Sequence, residues 1–383
     1  MRRKHRFNAL LFALLAALLI TTVAGAAQKG GAVVSLSVEK SAFDSSQDVF
    51  VIVTISNPSR EPVKVLKWFT PVAGVEESLF VVTRDGQPVA YTGPLIKRPA
   101  ATDQDYVSLK SGESISSTVN LGEYYDLSQT GQYEISYGVA SFLLYDAKGN
   151  AFQARDVLTS EKVSVSLEGR FKGTATPRPA TPTPSAATPT PGGGGGGKRT
   201  PTPGSTTPTN PPPGGISFTQ CTASQQNTVT TAHNNAKSYA TQSKNYLAGI
   251  TSGTPRYTEW FGAFTTSRFN TVKAHFTSIS NAFDTAPAVY DCCCTQNYYA
   301  YVYPDQPYKI YLCNAFWPAP MTGTDSKAGT LVHEMSHFTV VADTDDFVYG
   351  QTAARSLAIS NPNNAIRNAD NHEYFAENTP PLP

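Results

Sequence analysis

Five consecutive residues, His333-Glu334-Met335-Ser336-His337, have the types and the spacing to do chemistry. On a helix, positions four apart share a face. Both imidazoles can then hold one zinc ion, and the Glu334 carboxylate can reach a water activated by that metal. The preceding Gly329-Thr330-Leu331-Val332 is apolar on the flank that must face a core. Of the six histidines, His5 falls in an N-terminal leader segment, so two of the remaining five sit in this motif.

A hydrolytic zinc site needs a third protein ligand and one open position. An extended histidine motif would place Gly at 340 and His at 343, where this chain has Val340 and Asp343. A glutamate from a downstream helix would have to be Glu373 or Glu377, which are distant and follow a loop-like stretch at 361–364. The acidic run Asp343-Thr344-Asp345-Asp346 lies just beyond the motif helix, and a carboxylate there can fold back onto the metal.

The elements that must position these groups are mostly helical. Apolar spacing predicts helices over 224–247, over 258–283 with a break near Thr265, over 328–340 for the motif itself, and over 349–359. Residues 298–312 read as a two-stranded hairpin turning at Pro304-Asp305-Gln306-Pro307. Upstream the pattern changes to alternation at 33–38, 49–55, 79–83, 114–119 and 163–167, with turn signals such as Asn57-Pro58 and Asp85-Gly86 between them. Short, regularly spaced strands predict an all-β, immunoglobulin-like sandwich. No catalytic constellation is visible in that half, and its charges read as a solvated surface.

Composition sets the frame. The chain has 383 residues, with 30 basic and 29 acidic side chains. That balance removes the electrostatic case for nucleic acid as a partner. Arg2, Arg3, Lys4 and Arg6 precede an apolar run at 9–23 and the small residues Ala24-Gly25-Ala26, the pattern of a signal peptide over 1–26. Export implies a secreted, extracellular protein, with no membrane attachment after cleavage and with disulfides in place of free thiols. Residues 171–215 are Thr-Pro repeats and a six-glycine run (192–197), a linker that cannot bury a core. The mature chain is therefore read as two domains: a β domain over 27–170 and a mainly α, α+β domain over 216–383 that carries the motif.

Taken together, GTLVHEMSHF at 329–338, the Thr344-Asp345-Asp346 turn, Tyr349-Gly350-Gln351 and NADNHEYFAEN at 368–378 resemble the deuterolysin-like metalloendopeptidases, or aspzincins. Within them the chain looks closest to the peptidyl-Lys metalloendopeptidases. TPRYTEWFG at 254–262, AYVYP at 300–304, IYLCNAFW at 310–317 and TGTDSKAGT at 322–330 extend the resemblance over essentially all of 216–383.

The resemblance implies a zincin-type metalloprotease fold. It makes His333, His337 and Asp346 ligands of one zinc ion per catalytic domain, with Glu334 as general base and Tyr349 as a donor to the developing oxyanion. The family's turn is Gly-Thr-x-Asp. Here Asp343 stands in place of the Gly and is a competing candidate ligand. Asp370 and Glu373 match the carboxylates that bind a lysine on the leaving side of the scissile bond, which implies cleavage of Xaa-Lys bonds in protein or peptide substrates. His372, between them, reads as structural. The family pattern pairs Cys221 with Cys292 and Cys294 with Cys313, leaving Cys293 over.

The expected molecule is a secreted monomeric endopeptidase. Its β domain is expected to be a pro-region, removed by the enzyme's own cut at Gly197–Lys198. A broader deuterolysin-type specificity and an inactive surface-binding protein are the alternatives.

Overall fold

The computed structural model describes residues 31–72, 74–139, 145–146, 158–168 and 214–383. The leader at 1–26, the linker at 171–215 up to residue 213, and the Gly197–Lys198 bond lie outside the described residues.

The N-terminal region is built almost wholly from strands. Val33–Val38 pairs antiparallel with Phe50–Ser56, which pairs with Ser114–Asn120. A larger sheet runs in the order Ala42–Phe43, Val163–Leu167, Gly131–Val139, Phe80–Arg84, Gln87–Pro88. A third contains Tyr145–Asp146, Val63–Leu66 and Tyr106–Leu109. The alternation read from sequence is the cause: successive strand residues point to opposite faces. Along Phe50–Ser56, Val51, Val53 and Ile55 are buried while Phe50 and Ile52 face outward. The inward set joins Val34, Leu36, Val82, Tyr133, Ile135 and Val165 in one core.

The C-terminal region packs helices on a five-stranded sheet. Its order is Ile216–Thr219, Ala288–Asp291, Lys309–Leu312, Ala300–Val302 and, last, Leu95–Lys97 from the N-terminal region. The first three strands are parallel, and the last two neighbour pairs are antiparallel. The 298–312 hairpin is therefore present as Ala300–Val302 against Lys309–Leu312, with the rest of the sheet built around it.

The helices are α1 (Ala223–Gly249), α2 (Pro255–Phe261), α3 (Thr266–Thr285), α4 (Lys327–His337), α5 (Gln351–Ser360), α6 (Pro362–Ala365) and α7 (Ala369–Glu377). Their starts are set by capping oxygens. Thr222, Thr254, Thr265 and Ser326 accept the N–H groups of Gln225, Tyr257, Arg268 and Gly329. Such caps satisfy donors that the first helical turn leaves unpaired.

Two sequence expectations need correction and a third needs its bounds adjusted. The helical stretch over 258–283 is broken where expected, near Thr265, but its first helix starts earlier, at Pro255. Gly262 takes φ 74 at the end of α2, and a Cβ there would run into the Ala358 carbonyl. The motif helix stops at His337, three residues short, because Phe338 turns to φ −58, ψ 127. The loop-like 361–364 holds the short helix α6, started by Pro362 and capped by the Asn361 side chain. Pro suits that first position because its missing N–H is not needed there.

Candidate metalloendopeptidase site

All eleven residues of α4 are buried. It packs against α1, whose small Ala232, Ala236 and Ala240 allow close approach, and against α7. One turn apart, His333 and His337 project from one face with ring centroids 4.8 Å apart. His337 Nδ1 lies 2.8 Å from the Thr344 carbonyl, so that its Nε2 turns the other way. Thr344 is held in turn by a 2.6 Å contact between its hydroxyl and that of Ser336.

The chain reverses after α4 through Asp343, which takes φ 49. This is the left-handed region, easy for Gly and tolerated by Asp. It accounts for the Asp in the position where the resembled family has Gly, and it turns Asp343 into a backbone pivot. Backbone bonds from Asp345 to Arg367 and from Ala369 to Asp345 then fasten the turn to the start of α7. Asp346 arrives with Oδ1 3.2 Å from His333 Nε2 and Oδ2 3.3 Å from His337 Nε2.

His333, His337 and Asp346 form a buried cluster whose ligand atoms lie within 4.8 Å of one another, and Asp343 is not part of it. The Nε2 atoms of both imidazoles and both Asp346 oxygens lack an aligned hydrogen-bond partner. Buried polar atoms are normally paired, and orphaned ones need a reason. Two imidazole nitrogens and a carboxylate around one point make a donor set that zinc accepts. Burial would raise the Asp346 carboxyl, but the imidazoles of His337 and His333 hold it well below the usual carboxylate range. Glu334 is also fully buried, with both oxygens unpaired. Burial pushes its pKa up to about 7 against the opposing pull of the two imidazoles.

The α7 carboxylates meet an unforeseen guest. The Lys97 side chain, 1% exposed, places Nζ 3.0 Å from Asp370 Oδ1 and 2.7 Å from Glu373 Oε2. Asp325 Oδ1 lies 3.9 Å away. The rings of Tyr299 and Tyr374 stand 5.4 and 5.6 Å from the ammonium, within cation–π range. Burial disfavours the charged lysine, but Asp370 and Glu373 outweigh it and hold its pKa well above the ordinary value. The backbone of Leu95–Lys97 is fixed by antiparallel pairing with Ala300–Val302, Lys97 opposite Ala300.

A second contact reaches Tyr349, whose hydroxyl donates to Glu77 Oε1 at 2.5 Å. Arg98 Nε donates to the same Glu77 oxygen at 3.3 Å, and an Arg98 terminal nitrogen lies 3.2 Å from Glu76 Oε2. The expectation that N-terminal charges form a solvated surface is thus wrong at these positions: Glu77, Lys97 and Arg98 are buried. The one sequence signal for them was a lysine set between Leu95-Ile96 and Arg98-Pro99 in a chain expected to bind lysine.

Cys221 is bonded to Cys292 and Cys294 to Cys313, and Cys293 is free and exposed. His372 is not part of the His333–His337–Asp346 cluster. Its Nε2 lies 3.0 Å from His275 Nδ1, and Phe261 and Phe276 surround it.

Gly329 is required by this packing. A Cβ there would run into Glu377 Oε1 and stand 3.0 Å from Glu373 Oε1. Gly329→Ala is expected to lose about 1–3 kcal/mol of stability through overpacking. Thermal unfolding of the variant beside the parent chain checks the effect.

A helix bearing paired imidazoles, a returning carboxylate and a buried glutamate beside them define a metallohydrolase of the zincin type. The chain belongs to the aspzincin metalloendopeptidase family. The family model described as lysine-specific metallo-endopeptidase matches residues 246–377. An extracellular protease of Aeromonas hydrophila is 42% identical over 338 residues, 88% of this chain and 90% of that protein. A peptidyl-Lys metalloendopeptidase of Armillaria mellea is 35% identical over 358 residues, covering 90% and 92%. The solved zinc peptidase from Grifola frondosa is 51% identical, covering 43% of this chain and all of that one, with a TM-score of 0.42. Among the described residues no helix is long and apolar enough to cross a membrane.

Proposed function

We propose that this chain is a secreted zinc endopeptidase that cuts on the amino side of lysine and is kept latent by its own N-terminal region. The observation that carries the reading is Lys97 seated between Asp370 and Glu373. A pocket that takes a lysine of its own chain in an extended, antiparallel strand is a pocket for lysine in a substrate strand. It suits a compact ammonium better than a broad planar guanidinium. The same seat, filled from within, keeps other lysines out. The name of the Armillaria relative agrees with the specificity, and that of the Aeromonas relative with export.

In this reading His333, His337 and Asp346 hold one zinc ion, which supplies Lewis acidity and an activated water. Glu334 takes the proton of the attacking water and delivers it to the leaving amine. A carboxyl raised by burial above the ordinary carboxylate range suits both transfers. Tyr349, once freed from Glu77, donates a hydrogen bond to the developing oxyanion. The N-terminal region, read as an immunoglobulin-like sandwich, is a pro-region. The linker bond Gly197–Lys198 is a preferred Xaa-Lys site for its removal.

The test is to digest an unfolded protein with the activated enzyme and to sequence the peptides by mass. New N-termini should be lysine, with arginine rare. Equal cutting before arginine and lysine would overturn the specificity. N-terminal sequencing of the active form tests removal of the pro-region, and intact chains in fully active material would refute it.

A further inference from the structure

Two hydrogen bonds and one close imidazole nitrogen converge on the carboxylate of Asp370, which is fully buried. Oδ1 accepts a hydrogen bond from Lys97 Nζ at 3.0 Å and lies 2.9 Å from His333 Nδ1, a nitrogen that has no aligned hydrogen-bond partner and is closer to Asp370 than to Glu373. Oδ2 accepts the backbone N–H of Gly350 at 2.6 Å. These partners belong to three parts of the site: the guest lysine, the back of a metal-facing imidazole, and the residue that follows Tyr349. Gly350 has φ 86 and opens α5 without a side-chain cap. The Asp370 carboxylate therefore serves as the anion at that helix start.

Glu373, its neighbour in the pocket, is placed differently. It meets Lys97 at 2.7 Å and stands 3.4 Å from His333 Nδ1, and neither of its oxygens accepts an aligned hydrogen bond.

We propose that Asp370 is a positioning residue as well as a lysine-binding one. Through Gly350 it sets where Tyr349 stands, and through Nδ1 it orients His333. Lysine recognition and catalytic geometry thus share one carboxylate, whereas Glu373 serves recognition alone. The lysine part of this inference rests on the specificity proposed above; the links to His333 and Gly350 do not.

An asparagine is the informative replacement. Both groups that hydrogen-bond Asp370 are donors, one to each oxygen, and the amide offers one acceptor oxygen and a donor group of its own. One neighbour must then face an N–H, and a buried donor left unpaired disturbs its surroundings.

The experiment compares Asp370→Asn with Glu373→Gln. Zinc affinity is measured by chelator competition on the full chain carrying Glu334→Ala, so that no self-cleavage interferes. The variants without Glu334→Ala, once activated, give kcat and KM on a lysyl peptide.

Asp370→Asn is expected to weaken zinc binding by about 10–100-fold, the usual effect of losing a carboxylate behind a ligating histidine. Its kcat should fall with it. Glu373→Gln should keep zinc affinity within about threefold of the parent chain and show its loss in KM. Equal zinc affinities for the two variants, with both defects confined to KM, would overturn the proposal.

Should Asp370→Asn fail to fold, Asp370→Glu carries the same test, because it keeps the charge but not the reach. It should retain lysine preference with reduced kcat and weaker zinc, and parental values for both would be the refuting result. Zinc affinities do not depend on which bonds are cut. A failure of lysine specificity in peptide mapping is therefore told apart from a failure of this coupling.

Discussion

Glu334→Ala is expected to abolish measurable hydrolysis and to leave the metal in place, whereas Asp346→Ala loses both. The two residues stand beside the same imidazoles but serve different ends. Asp346 brings each oxygen to within about 3.3 Å of an Nε2 and completes the cluster of possible ligands. Without it two histidines remain, too few to retain zinc in a hydrolytic site. Glu334 lies outside that cluster, buried with both oxygens free of hydrogen bonds. Proton transfer by such a group contributes about 10²–10⁴-fold in rate. Metal content by elemental analysis, set beside kcat/KM, separates the cases. If Asp346→Ala kept full metal while Asp343→Ala did not, the ligand assignment would be wrong, although the backbone role of Asp343 argues against that outcome.

Lys97→Ala should make the full chain active before any N-terminal fragment has been released. The wild-type pocket holds one ammonium against Asp370 and Glu373, all three side chains withdrawn from water. Truncating one partner of such a pair leaves the others buried and uncompensated, which costs about 2–5 kcal/mol. At about 1.4 kcal/mol per tenfold, the closed arrangement should weaken by roughly 30- to 4,000-fold. The remaining contacts, strand pairing with Ala300–Val302 and the Glu77 bonds to Tyr349 and Arg98, then hold the N-terminal region less tightly, so that it swings off the sheet edge and Tyr349 in a larger fraction of intact chains. The assay is hydrolysis of a lysyl peptide, followed beside the intact chain on a gel. A variant as silent as the parent would show that Lys97 does not carry the latency.

The motif helix, its two imidazoles and the returning acidic turn were legible because they are local. Helical period fixes His333 against His337, and seven residues span the loop to Thr344. The end of that helix was not legible. Its last turn gives way because the Ser336 carbonyl accepts from Thr344 N–H, a bond made only after the chain has reversed. The break near Thr265 was visible in outline, but its cause, Gly262 pressed against Ala358, spans almost a hundred residues. Lys97, Glu77 and Arg98 were read as surface charges for the same reason. Nothing within a window around Lys97 records that Asp370, 273 positions away, will pair with it.

The strand Leu95–Lys97 covers the outer edge of the catalytic sheet. An uncovered edge offers a row of free N–H and C=O groups, to which any extended chain can add. On the proposed release of the N-terminal region, that hidden border becomes the place where an extended substrate would add. A lysine in a folded helix, or in the middle of a sheet, cannot lie along it without first being pulled out of its own structure. With the proposed specificity, the rate at which a target is cut should follow how readily a few residues around a lysine unravel, and compact proteins should outlast frayed ones carrying equal numbers of lysines.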